Sequence, residues 1–239
     1  MASSDSELFE QRTRAYAAQQ DETIRILEAG CGRRWSLDLT GVGYSLTGVD
    51  INPDCMKARR DLDCQIVGDL RSVELDPNSY DVAFCSFVLE HIDGAEQVLT
   101  RLVAALKPGG FLLLRIPDRD SAYGFMARHS PHRLHVLFKR YVQGNKNAGK
   151  PGHGPFPVAY DHVVSWPGIV NFCNQHGLEI TDALSSDFYL RSLGAYSMPA
   201  RLALRLVAIL SMGRLTDDYI NLAVVVRKPL RSEVLQSAQ

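Results

Sequence analysis

The sequence predicts an α/β fold, a doubly wound and mostly parallel seven-stranded sheet with helices on both faces. Three observations predict it. Short apolar runs alternate with stretches of helical spacing between Ile24 and Ile116. One of those runs, Asp81 to Val88, is apolar on both faces, the pattern of a strand buried between two layers. The first three runs end at small or acidic residues: Glu28 to Gly32, Asp50, and Gly68-Asp69.

Each element follows in order. Residues Glu7 to Gln20, with Leu8 and Tyr16, read as a leading helix. Ile24 to Leu27 is a strand stopped by a glycine turn. Tyr44 to Val49 is the second strand, and Asn52-Pro53-Asp54 opens a helix reaching about Asp61. Cys64 to Val67 and Asp81 to Val88 are the third and fourth strands. From Ala95 to Leu106, Val98, Leu99, Leu102, Val103 and Leu106 recur at helical spacing. Lys107 to Gly110 ends that helix, and Phe111 to Ile116 is the fifth strand.

Alternation breaks at Pro117. Residues 118 to 164 lack clean periodicity and are too long for a connection, so they read as a lid insertion. Pro167 to His176 is a helix, Leu178 to Ala183 the sixth strand and Ile220 to Val226 the seventh. A helical insertion, Met198 to Met212, lies between those strands, with Ser197 as cap and Gly213 as terminator. The expected organisation is a single domain over 1–239. It comprises a leading helix (1–23), a ligand-binding core (24–117), the lid (118–164) and a closing part (165–239) that holds the apolar helix 198–212.

Composition excludes several classes. The chain has 239 residues, 46% of them hydrophobic and 22% charged, with a net charge of −1. It has no global field to draw nucleic acid or membrane. The five cysteines form no C-x-x-C pair and their number is odd, which argues against a disulfide framework or zinc site. Free thiols, together with a polar start lacking a secretory signal, point to the cytoplasm. No uncharged apolar run is long enough to span a bilayer.

Glu28, Gly30, Gly32, Asp50 and Asp69 each follow a predicted strand. In open parallel sheets the ligand crevice lies at that edge. Glycines there let backbone approach a ligand, and an acidic residue at the end of the second strand accepts from ribose hydroxyls. Asp69 would accept from an adenine amino group. Gly30-Cys31-Gly32-Arg33-Arg34-Trp35 lacks the third glycine of a dinucleotide loop, and no G-x-x-x-x-G-K-S/T loop is present. A nucleoside ligand without phosphates is therefore expected.

These residues carry a family resemblance. Ile26 to Gly32 resembles motif I of class I S-adenosylmethionine-dependent methyltransferases, and Leu46 to Ile51 is similar to their second motif. Tyr80 to Ile92 resembles their fourth strand and the loop after it. Leu106 to Leu114 resembles the turn into strand five. The resemblance spans 24–116, resumes at Leu178 to Ala183 and Ile220 to Arg227, and is nearest the small-molecule branch that includes quinone methyltransferases. It implies that Glu28, Gly30, Cys31 and Gly32 frame the methionine part of S-adenosylmethionine. Asp50 would bind the ribose, Ile51 would lie against the adenine, and Asp69 and Leu70 would contact its edge and face. Ser86 and His91 would lie near the methionine end. Two positions depart from the family. Arg34 stands where many members have a third glycine, and Arg33 to Tyr44, with Gly41 and Gly43 inside it, is poor in helix signal, so the first helix is expected to be short. Phe87 stands where some quinone-type members carry an acidic residue three positions before the Glu-His pair and bind a metal, so no metal is expected here.

Methyl transfer to a hydroxyl or amine needs alignment, exclusion of water and removal of a proton. The histidines of the excursion are candidates for the base. His153, in a glycine- and proline-shaped loop, is preferred and His129 comes second; an exposed loop histidine without a proton role is the plainer alternative. Residues 121 to 160 hold six Lys or Arg, four His and no Asp or Glu. That fits either a solvated surface lid or a cap for an anionic acceptor. The helix 198–212 is read as packed over the sheet, at a dimer seam, as an apolar wall for a lipidic or polyketide acceptor, or as a peripheral membrane contact. A small-molecule acceptor, modified on oxygen or nitrogen, is the expected partner, and no nucleic acid is expected. Two rivals stand: an RNA or protein methyltransferase, and a cyclase or cofactor-binding module that keeps the fold without methyl transfer.

Overall fold

The computed structural model describes residues 5–150 and 153–230. The outermost parts of the leading and closing segments (1–4 and 231–239), and Pro151 and Gly152 of the lid, lie outside the described residues.

Seven strands form one sheet in the order β3-β2-β1-β4-β5-β7-β6. They are β1 (Ile24–Ala29), β2 (Tyr44–Asp50), β3 (Cys64–Val67), β4 (Tyr80–Ser86), β5 (Leu106–Pro117), β6 (Glu179–Ser186) and β7 (Asn221–Arg227). The pairs β1–β2, β2–β3, β1–β4 and β4–β5 are parallel. Strand β7 runs against both β5 and β6. The chain winds outward from β1 to β3 and then returns to β4. The order therefore reverses between β1 and β4, where open α/β sheets place their ligand.

Alternation of side chains gives the sheet two apolar faces. Leu27, Ala29, Ala83, Cys85, Leu112 and Leu114 point to one of them. They pack there against Val98, Leu99 and Leu102 of α3 (Ala95–Ala105) and Ile169 and Phe172 of α6 (Trp166–Gln175). Ile24, Ile26, Val82, Phe84 and Leu113 point the other way, onto Leu8 and Phe9 of α1 (Asp5–Ala17).

Between β1 and β2 the described residues form no helix. The period-two pattern of Leu37 and Leu39 explains this, since extended chain buries alternate residues and both leucines are buried. Trp35 packs edge-on to Phe84, with ring centroids 5.6 Å apart. This loop and α1 together cover the face that a helix after β1 would otherwise cover.

Helix α2 (Pro53–Met56) starts as expected, with the Asn52 side chain accepting from the Asp54 N–H, but stops short of Asp61. Three residues beyond its end, Arg59 turns in to Glu28 at the end of β1. The lid, read from sequence as irregular, contains α4 (Ala122–His129) and α5 (His132–Leu137), which runs into a wider turn at Phe138–Val142. Ser121 caps α4 by accepting from the Gly124 N–H. After the short α7 (Phe188–Arg191), α8 spans Ser197–Leu210. Ser197 is helical rather than a cap, because the 3₁₀ turn Gly194–Tyr196 feeds directly into the helix. Leu204 and Ala208 of α8 are buried with Ala122 and Leu190. No helix among the described residues is long and apolar enough to cross a membrane.

Candidate active site

The glycine turn after β1 is laced to β2. The N–H groups of Gly30 and Cys31 both donate to the Val49 carbonyl, at 2.8 and 3.0 Å. The Gly32 N–H donates to one Asp50 oxygen at 2.8 Å, and the Asn52 N–H to the other at 2.8 Å. Gly30 has φ +71°, and a Cβ there would lie 2.3 Å from Val88 Cγ2. The chain's own Val88, rather than a ligand, therefore requires that glycine. Gly32 is different: its φ is +51° and a Cβ would meet nothing within 4 Å, so its bare face is open. Cys31 is buried, its sulfur packed where a Cβ on Gly48 would stand. Burial pushes that thiol up to about 12, so it is an inert packing group.

Glu28 does not face the crevice freely. It is 4% exposed and accepts from Arg59 at 2.6 Å. Arg59 also donates to the Cys31 carbonyl and to both Asp61 oxygens. Burial pushes the Glu28 carboxyl up to about 7, against the pull of Arg59. The pair fixes the turn from beneath, so Glu28 positions the loop. Sequence reasoning missed Arg59 because no local spacing links it to a partner 31 residues away.

The rest of the edge is mixed. Ile51 is 70% exposed beside Asp50, an open apolar surface that suits a planar base. Leu70 is buried in the core cluster, so its side chain packs inward. Asp69 pairs with Arg71 at 2.6 Å, which holds its carboxyl below the usual carboxylate range. Ser86 accepts from Arg115 of β5 at 3.3 Å. The open Gly32 turn, the Asp50 carboxylate with lone pairs beyond its two backbone bonds, and bare Ile51 fit the ribose and adenine of a nucleoside.

The insertion 118–164 meets the end of β4. A 3₁₀ turn, Leu89–His91, follows that strand, and the N–H groups of Ala159 and Tyr160 both donate to the Glu90 carbonyl. His91 Nδ1 lies 2.8 Å from the Pro157 carbonyl. A carbonyl only accepts, so Nδ1 carries the proton and Nε2 is the unprotonated nitrogen, 3.7 Å from Glu90 Oε1. The ring packs edge-on to Phe156, 5.8 Å away. Burial lowers the His91 pKa, and nearby Lys139 and His132 lower it further, so the imidazole is neutral near pH 7.

Glu90 is 5% exposed, with its Oε2 unbonded, and burial pushes its carboxyl up to about 8. An unfolded glutamate titrates near 4.5. The neutral form therefore contributes stability that is fully present below that value and lost as pH rises toward 8. Glu90→Gln has no carboxyl to ionise. Its melting temperature relative to the wild type is expected to climb between pH 5 and 8 in a thermal melt series. A pH-independent difference between the two proteins would contradict this.

The two histidines expected as bases lie in the insertion 118–164. His129 is exposed at the end of α4, its Nδ1 2.8 Å from the Phe125 carbonyl and its ring centroid 4.2 Å from that of Phe125. His153 is exposed, with its backbone N–H donating to the Lys150 carbonyl.

In sequence and in fold the chain resembles known methyltransferases. The family model described as a methyltransferase domain matches residues 1–183. A ubiquinone biosynthesis O-methyltransferase from Burkholderia vietnamiensis is 27% identical over 180 residues, 68% of this chain and 73% of that protein. One of the same description from Xanthomonas euvesicatoria is 30% identical over 109 residues, 41% of this chain and 45% of that protein. Among solved structures, a SAM-dependent methyltransferase from Methanosarcina mazei superposes with TM-score 0.57 at 18% identity, covering 92% of this chain and 98% of that one. The [4+2]-cyclase SpnF gives TM-score 0.52 at 15% identity, covering 92% and 81%. Both structural likenesses are statements about fold. With the family match spanning most of the sheet and the nucleoside edge built as described, the chain belongs to the methyltransferase domain family, whose cofactor is S-adenosylmethionine.

Proposed function

We propose that the protein transfers a methyl group to an oxygen of a small organic acceptor held between the carboxyl edge of the sheet and the lid. The observation that supports this most directly is His91, oriented by the Pro157 carbonyl with Nε2 left to accept a proton. The O-methyltransferase relatives favour oxygen over nitrogen as the atom modified.

The bound cofactor supplies a sulfonium-activated methyl group. The chain's own residues do the rest. Asp50 and Ile51 hold the nucleoside, while Arg59 and Glu28 keep the glycine turn rigid. The lid keeps water from the acceptor. His91 Nε2 takes the hydroxyl proton as the oxygen attacks. This moves the base from His153 and His129 to the residue beside the cofactor edge; those two histidines remain proposals for acceptor contact.

The outward side chains of α8, including Met198, Leu202, Leu206 and Ile209, are exposed. With Arg205 and Arg214 nearby, they suit peripheral contact with an anionic lipid surface and give access to a lipidic acceptor. We place the enzyme in the cytoplasm, acting as one domain.

The test is turnover with a panel of phenols, catechols and aliphatic alcohols. S-adenosylhomocysteine should accumulate with at least one oxygen acceptor. Product formed only with amines, or only with RNA or protein, would reject the reading. A protein that binds the cofactor but transforms an acceptor without demethylating it would instead be a cyclase or binding module.

A further inference from the structure

At the carboxyl edge three strands place Gly30, Ser86 and Arg115 in one row. Ala29 pairs with Cys85 just before it, and Ser86 pairs with Arg115. Neighbouring strands lie about 4.8 Å apart, so the Arg115 backbone stands roughly 10 Å from the glycine turn, a gap that an arginine side chain and a ligand carboxylate bridge together. Side-chain alternation sends both Ser86 and Arg115 toward α1.

The Arg115 side chain is 10% exposed. Nη1 donates to Ser86 Oγ at 3.3 Å and Nη2 to Ser6 Oγ at 3.1 Å. Nε is buried without a hydrogen bond, and the nearest carboxylate oxygen, from Asp5 of α1, is 3.6 Å away. The rings of Phe9 and Phe87 lie 5.4 and 5.9 Å from the guanidinium carbon. Phe87 itself has φ +56°, a conformation that non-glycine residues rarely hold and that often marks functional sites.

A buried guanidinium is costly unless it is fully bonded, and its fork matches a carboxylate better than two hydroxyls. Here it has two hydroxyl partners, one unmade bond and a carboxylate just beyond hydrogen-bond distance. Arg59, the other buried arginine near the glycine turn, is already consumed by Glu28, Asp61 and the Cys31 carbonyl.

We propose that Arg115 binds the carboxylate at the amino-acid end of the cofactor, and that Asp5 at the start of α1 competes for the same guanidinium. The proposal rests on the cofactor being S-adenosylmethionine. It adds a residue for the amino-acid arm and makes the first turn of α1 a latch over that arm.

The test is calorimetry with two probes that share the nucleoside and sulfur. S-adenosylhomocysteine carries the carboxylate, and 5′-methylthioadenosine lacks it. Arg115→Gln is expected to weaken the first by about ten- to a hundredfold, the scale of losing a charge-assisted pair, and the second by less than about twofold. Asp5→Asn removes the competitor and is expected to tighten S-adenosylhomocysteine a few fold while leaving 5′-methylthioadenosine unchanged. Equal losses for both probes in Arg115→Gln would mark the arginine as only structural and overturn the proposal. So would unchanged binding of both, which is also the result expected if Arg115 served an acceptor's carboxylate instead. If Arg115→Gln does not fold, Asp5→Asn decides: equal or weaker S-adenosylhomocysteine binding overturns the proposal. If the wild type bound neither probe, the cofactor assignment itself would fall first.

Discussion

Asp50→Ala is expected to weaken S-adenosylhomocysteine binding about a hundredfold while the protein stays folded. The carboxylate ends β2 and is only half-buried, so its loss opens no cavity in the core. It does two things at once. It accepts from the Gly32 and Asn52 N–H groups, at 2.8 Å each, which sets the turn. It also offers its remaining lone pairs to two ribose hydroxyls. Hydrogen bonds to a charged group are each worth about 1.5–3 kcal/mol, and about 1.4 kcal/mol is a factor of ten, so a hundredfold is the lower end of what losing two ribose bonds gives. Calorimetry beside a thermal melt measures both halves. Affinity within about threefold of wild type would defeat the ribose assignment.

The second large effect is expected at His91. His91→Asn should lower kcat by about 10² to 10⁴, the usual worth of a positioned general base, with little change in cofactor affinity. The asparagine amide nitrogen stands where Nδ1 stood and can still donate to the Pro157 carbonyl, so that contact survives and the proton acceptor alone is lost. The pH profile separates this from a structural defect. Because burial holds His91 below its ordinary value of 6.5, wild-type kcat should fall only on the acid side of that value. In the variant that limb should vanish. A variant retaining the wild-type limb would place the base on another residue.

Much of the fold was legible because its central strands are buried on both sides. Ile24 to Ala29 and Asp81 to Ser86 each carry four apolar residues in six, and glycine or an acid marks where the crevice edge begins. The lid was less legible. Its helices α4 and α5 are short and rich in His and Arg, and Ser121, the cap that starts the first of them, lies in a stretch without apolar period. The missing helix after β1 follows the alternation of Leu37 and Leu39, which is a strand-like signal inside a region where an α/β reading expects a helix.

Within the site, the residues following the strand ends were readable from position alone, but their jobs were not. Gly30 answers to Val88, Glu28 to Arg59 and Asp69 to Arg71. Each partner is set by tertiary packing or by a choice among several nearby charges, which spacing does not encode. Arg115 was invisible for the same reason: within an apolar strand it looks like an interruption until the register sets it beside Ser86.

The junction between lid and sheet rests on main-chain donors from Ala159 and Tyr160 to the Glu90 carbonyl. Amide groups are the same whatever side chain they carry. Exposed positions of the insertion, such as Leu134, Leu137 and Tyr141, can therefore be exchanged over evolutionary time without breaking these two bonds, while the methyl-donating half of the enzyme stays unaltered. Directed libraries confined to such exposed positions, and sparing buried Ser121, Ala122 and Gly124, are thus a direct route to altered substrate preference in this scaffold.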